Sequence, residues 1–224
     1  MTPDAPLFPS RRIVLASLAG LVGAAVVSRG ARAAGRPVKL VAFGDSLTAG
    51  YGLPDPDGFT SRLEAALRAK GHAVEVVNAG VSGDTTDMGL ARLDWSVPDD
   101  ADAVIVELGA NDALRGLPPA AARDNMDAIV GRLRAKKLPV LVAGMYAPRN
   151  LGEPYAKAFD PLFAAIAEKH GALLYPFFLD GVAGDRTLNQ PDGIHPNAAG
   201  VKIIVERILP KVEELLGQVK AKAG

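Results

Sequence analysis

Ser46 lies in the run Gly44-Asp45-Ser46-Leu47, and Asp192 precedes His195 by three residues in Asp192-Gly193-Ile194-His195-Pro196. A serine hydroxyl is a poor nucleophile until a nearby base takes its proton. A carboxylate close to a histidine can hold the imidazole in one tautomer and stabilise the imidazolium that forms. Together these residue types point to acyl transfer through a serine. Each also has a plainer reading. A serine after a strand is a common helix N-cap, and Asp-Gly is a common turn.

The elements that must position these residues can be read from the apolar pattern. Val38–Phe43 is a short apolar run that ends at Gly44, as a buried strand would. Further strands are expected at Val74–Val77, Ala103–Leu108, Val140–Ala143 and Ala172–Tyr175. Between them, helices are expected at Phe59–Lys70, Thr85–Trp95, Pro118–Lys137 and Glu153–His170. A last helix should run from Asn197 to Leu209, with Asn197 as its N-cap and Pro210 kinking or ending it. Alternating strands and helices predict an α/β fold, with a five-stranded, mostly parallel sheet covered on both faces. The strands are nearly continuous apolar runs, as expected of a sheet buried on both sides.

Such folds bind ligands outside the carboxyl ends of their strands, and that rule sorts the three histidines. His72 and His170 each fall between a helix end and the next strand, at the amino edge. His195 follows the fifth expected strand and can return to Ser46. Two other carboxyl-edge loops offer donors for a developing oxyanion. Gly83, in Asn78-Ala79-Gly80-Val81-Ser82-Gly83-Asp84, can present its backbone N–H unobstructed. Asn111, in Gly109-Ala110-Asn111-Asp112, carries an amide donor. Taken singly, Gly83 reads as a turn residue and Asn111 as an Asx-turn.

These four segments resemble the blocks of the SGNH hydrolases, also called GDSL esterases. Gly44-Asp45-Ser46-Leu47 is similar to block I, Gly83 sits in block II, Gly109-Ala110-Asn111-Asp112 in block III and Asp192–Pro196 in block V. The longer runs Gly44–Gly52 and Asn111–Gly116 resemble a bacterial periplasmic subgroup of acyl-CoA thioesterases, lysophospholipases and arylesterases. Ala110 departs from the pattern, since many members carry a second glycine there. The resemblance implies a three-layer α/β/α sandwich of flavodoxin-like topology and a Ser46–Asp192–His195 triad. It also implies an oxyanion hole built from Ser46 N–H, Gly83 N–H and the Asn111 side chain, with no cofactor and no metal. No G-x-S-x-G elbow occurs, which argues against the α/β-hydrolase fold.

Composition narrows the alternatives. The chain has no cysteine, so thiol nucleophiles and Cys-based zinc sites are excluded. Basic and acidic residues are equal at 25 each, so no excess charge favours nucleic acid. Residues 1–33 read as a secretory leader: Arg11 and Arg12, an apolar run from Ile13 to Val27, then Ala31-Arg32-Ala33 as a small-residue exit. Ser10–Leu15 resembles a twin-arginine export motif with Val14 in place of the usual Phe. The apolar run is short for the roughly 20 residues a membrane span needs. The leader carries Arg11, Arg12, Arg29 and Arg32 against Asp4, so the remainder holds 21 basic and 24 acidic residues. A single domain over residues 34–224 is expected, monomeric and periplasmic or secreted, with no membrane anchor once the leader is gone.

Asp45, Met145, Tyr146 and Leu151 are the expected substrate-binding residues, and Phe177, Phe178 and Leu179 are either further groove or plain core. The expected substrate is a small ester with an aryl or short-to-medium acyl group; the subgroup adds thioesters and lysophospholipids. A carbohydrate deacetylase of the same family is an alternative. So is a metal-dependent phosphotransferase or phosphatase on a flavodoxin-like sheet, holding Mg²⁺ through Asp45 and Asp112, and so is a binding module without turnover.

Overall fold

The computed structural model describes residues 36–223, and the expected leader lies outside them. Five strands form one sheet: β1 (Val38–Gly44), β2 (Val74–Gly80), β3 (Ala103–Glu107), β4 (Val140–Ala143) and β5 (Leu173–Tyr175). Their order is β2-β1-β3-β4-β5, and every pairing is parallel. Leu40, Val41, Phe43, Val104, Ile105, Val106, Val140, Leu141 and Val142 are fully buried. Residues of opposite parity on one strand point to opposite faces, so both faces are covered.

The helices are α1 (Ser46–Ala49), α2 (Phe59–Ala69), α3 (Thr86–Ser96), α4 (Ala110–Leu114), α5 (Pro119–Ala135), α6 (Glu153–Phe159), α7 (Leu162–His170) and α8 (Ala198–Ala223). Helices α2 and α8 pack together on one face, while α3, α5 and α7 pack in a row on the other. The result is the expected three-layer sandwich. Helix α2 shows why the apolar spacing matters. Phe59, Leu63 and Leu67 recur every four residues and are all buried. Each such leucine stabilises the fold by about 1.5–3 kcal/mol through the area it removes from water.

Two expectations change. The helix read as Glu153–His170 is two helices. It breaks at Asp160-Pro161, where proline has no N–H to continue the ladder. The last helix does not end at Pro210 but continues to Ala223. Ile204, Val205, Ile208, Val212, Leu215 and Leu216 are buried on both sides of the proline. That continuous stripe outweighs the roughly 3 kcal/mol an internal proline costs, and Pro210 itself is exposed. Asn197 caps this helix as expected, its side-chain oxygen accepting from Ala199 N and Gly200 N.

Candidate active site

The strand register sets a row across the carboxyl edge of the sheet: Gly80, Gly44, Glu107, Ala143 and Tyr175. The chain reverses direction across the sheet between β1 and β3, which is where such folds open a crevice. Ser46 follows β1 and Asn111 follows β3, so they flank that crevice.

Gly44 makes the turn into α1 possible. A Cβ there would lie 2.1 Å from Thr48 Oγ1 and 2.6 Å from the Glu107 carbonyl oxygen. Asp45 then caps α1, accepting from Leu47 N at 3.0 Å. Ser46 is the first residue of α1, so Asp45 and not Ser46 fills the capping role. This leaves the Ser46 hydroxyl free for other work.

That hydroxyl lies 2.9 Å from His195 Nε2. On the other side of the ring, His195 Nδ1 lies 2.7 Å from Asp192 Oδ2. Asp192 Oδ1 also accepts from the backbone N–H groups of Ile194 and His195. These donors, the His195 backbone N–H first, hold the Asp192 carboxyl down to about 2. An ionised Asp192 accepts a hydrogen bond from Nδ1–H, which holds the tautomer with Nε2 as the acceptor facing Ser46. Tyr51 packs on the His195 ring with centroids 4.6 Å apart. Gln190 ties the two loops together: its side-chain amide donates to the carbonyls of Tyr51 and Pro196, and its backbone N–H donates to the His195 carbonyl.

Of the expected oxyanion donors, Asn111 lines the same cleft as Ser46 and His195, and Gly83 lies in the loop after β2. Gly83 has φ +89, a left-handed conformation that strains any side chain. Its carbonyl accepts from Arg115 Nη2 at 2.7 Å. Asn111 Nδ2 donates to Asp45 Oδ2 at 3.1 Å and to the Asp84 carbonyl at 2.9 Å. Here one sequence expectation is corrected. Asp45 is fully buried and does not line the cleft. Its carboxylate accepts from Leu47 N and Asn111 Nδ2, so it faces the protein and not the cleft. Burial pushes the Asp45 carboxyl up to about 6.

Beside Ser46 and His195 opens a cleft of about 720 Å³ with mainly apolar walls: Leu114, Met145, Tyr146, Phe177, Leu179 and Ile194. Tyr146 and Phe177 stack at 4.6 Å to form one wall. Met145 and Tyr146, two of the expected substrate-binding residues, both line the cleft. Leu151 is not part of the lining; it closes the 3₁₀ turn Arg149–Leu151 instead. Phe178 is core, packed edge-on against Phe59. His72 and His170 lie away from the cleft, paired with Glu213 and Asp127. Asp112 accepts from Thr86 N and Thr86 Oγ1. Both carboxylates of the Mg²⁺ alternative are thus engaged by protein donors.

Sequence reasoning missed the support beneath the site. Glu107 is fully buried under the Ser46 turn, where Thr48 Oγ1 donates to its Oε2 at 2.8 Å and its Oε1 has no hydrogen-bond partner among the described residues. Burial and the neighbouring Asp45 charge raise its carboxyl well above the usual range. The available signal was a charged residue closing the run Val104-Ile105-Val106. Arg92 is also part of this support and gave no signal beyond its place on a helix.

The fold and the site are those of a serine ester hydrolase. Residues 42–203 match the GDSL-like Lipase/Acylhydrolase family. The chain is 39% identical to esterase TesA of Pseudomonas aeruginosa over 79% of its own length and 89% of that protein. It is 37% identical to an arylesterase of Vibrio mimicus, over 75% and 84% of the two chains. Among solved structures it resembles AlinE4, an SGNH-hydrolase family esterase, at 46% identity and TM-score 0.69, covering 82% of this chain and 98% of that one. It also resembles the psychrotrophic esterase EstA of a Pseudoalteromonas species at 32% identity and TM-score 0.76, covering 80% and 99%. The chain belongs to the GDSL-like lipase/acylhydrolase family.

Proposed function

We propose that this chain hydrolyses small carboxylic esters through an acyl-enzyme on Ser46, within a single domain spanning residues 34–224. The observation that carries this reading is the continuous relay from Asp192 through His195 to Ser46, at 2.7 and 2.9 Å. His195 takes the Ser46 proton as the hydroxyl oxygen attacks the acyl carbonyl. Ser46 N–H, Gly83 N–H and an Asn111 N–H stabilise the oxyanion. His195 then gives its proton to the leaving alcohol or thiol, and water deacylates the serine by the same route in reverse.

The mainly apolar cleft supports aryl and short-to-medium acyl esters as substrates. Thioesters and lysophospholipids are supported by the relatives alone, one of which is named thioesterase 1/protease 1/lysophospholipase L1. The leader read from the sequence supports export, to the periplasm or beyond. Among the described residues, no helix is long and apolar enough to cross a membrane. The reading is tested by assaying residues 34–224 on p-nitrophenyl esters of increasing chain length, with and without EDTA. Carboxylic ester turnover that survives EDTA supports it; no such turnover, together with EDTA-sensitive, Mg²⁺-restored hydrolysis of p-nitrophenyl phosphate, supports the phosphotransferase or phosphatase alternative instead.

A further inference from the structure

We propose that Arg92, on α3, is a positioning residue that sets the oxyanion hole against the nucleophile turn. The inference rests on Gly83 and Asn111 being the oxyanion donors. Arg92 is a largely buried guanidinium whose centre sits 4.3 Å over the Phe43 ring. Its Nη2 donates to the Gly44 carbonyl at 2.8 Å, and its Nη1 donates to the Ala79 carbonyl and Ser96 Oγ, both at 2.9 Å. Its Nε donates to Asp84 Oδ2 at 2.5 Å. One planar group thus joins the last residue of β1, the end of β2 and the loop beyond β2.

What hangs on those acceptors gives the fork its role. Gly44 lies two residues before Ser46. Asp84 directly follows Gly83, and its carbonyl accepts from Asn111 Nδ2. Both oxyanion donors outside the Ser46 turn are therefore connected to Asp84, and Asp84 is held by Arg92. A donor displaced by a fraction of an ångström stabilises the oxyanion less, because this stabilisation depends on preorganised geometry. A lysine could reach one of these acceptors but cannot reproduce the fork.

The test compares Arg92→Met, Arg92→Lys and Asp84→Asn with Asn111→Ala on p-nitrophenyl butyrate. Active sites are counted by complete phosphylation with diethyl p-nitrophenyl phosphate, and folding is checked by thermal melting. Arg92→Met should lower kcat per active site about 10²-fold, the scale of one lost oxyanion donor, with KM within about threefold because uniform binding is untouched. Arg92→Lys should restore only part of it. Arg92→Met added to Asn111→Ala should cost clearly less than Arg92→Met costs alone, since only Gly83 is then left for the fork to position and coupled residues are not additive. Unchanged kcat per active site in folded Arg92→Met, or in Arg92→Lys and Asp84→Asn if Arg92→Met does not fold, overturns the proposal, as do multiplying effects in the double variant. Normal kcat in Asn111→Ala would instead overturn the oxyanion assignment and this inference with it.

Discussion

Asn111 Nδ2 donates to the Asp45 carboxylate at 3.1 Å, although the two residues are 66 positions apart. A buried anion thereby fixes the amide that faces the crevice. Its second acceptor is the Asp84 carbonyl, so an oxyanion must draw one N–H away from these partners. Asp45→Asn should disturb this, because its amide nitrogen would meet another amide nitrogen. A hydrogen bond to a charged group is worth about 1.5–3 kcal/mol, so kcat should fall about 10- to 150-fold. Steady-state kinetics at fixed pH check this, and an unchanged kcat would remove Asp45 from the site's support.

Asp192→Asn should be more damaging. With its oxygen kept by the Ile194 and His195 backbone N–H groups, the amide turns its NH2 to Nδ1 and favours the wrong tautomer, which leaves Nε2 protonated toward Ser46. A loss of about 10⁴ in kcat is expected, with KM little changed. Because Asp192 is held down to about 2, it stays ionised well below neutral pH. Any acid limb in kcat/KM above about pH 4 must then persist from another group. A limb that disappears in Asp192→Asn, with activity otherwise retained, would contradict this role.

Glu107 gives a stability prediction with a definite sign. Its folded pKa is raised, by burial first and the Asp45 charge second, so the native state keeps a proton that the unfolded chain releases. Stability is therefore full below the ordinary carboxylate range and falls as pH rises. Glu107→Gln removes that dependence. Denaturant midpoints from pH 5 to 9 should fall less steeply in the variant than in the parent. Parallel curves would show that Glu107 is not held neutral in the fold.

The Tyr146–Phe177 wall predicts how rate follows acyl length. Each buried methylene is worth about 0.8 kcal/mol, so kcat/KM should rise about fourfold per CH₂ until the cleft is filled. Tyr146→Ala should flatten that rise. A profile that falls from acetate onward in the parent would place the acyl chain elsewhere.

Much of this was legible because it depends on local pattern. The strands announce themselves as apolar runs, and Ser46, Gly83, Asn111 and His195 sit at their carboxyl ends. The break at Pro161 was missed because the helical spacing on either side of it runs on. What stayed hidden depends on tertiary contact. Pro210 passes through a helix because burial on both sides outweighs it. Asp45 looked like a group facing substrate because nothing local shows that it is buried. Arg92 resembles any solvated helix charge until β1, β2 and the Asp84 loop close around it.

The most direct test of the account is where a covalent inhibitor lands. Wild-type protein treated with diethyl p-nitrophenyl phosphate and digested should carry one phosphoryl adduct, on the peptide that contains Ser46. Ser46→Ala should carry none and should lose turnover, while His195→Ala should label far more slowly. An adduct on another residue, or ester hydrolysis that persists in Ser46→Ala, would contradict the assignment of Ser46 as nucleophile.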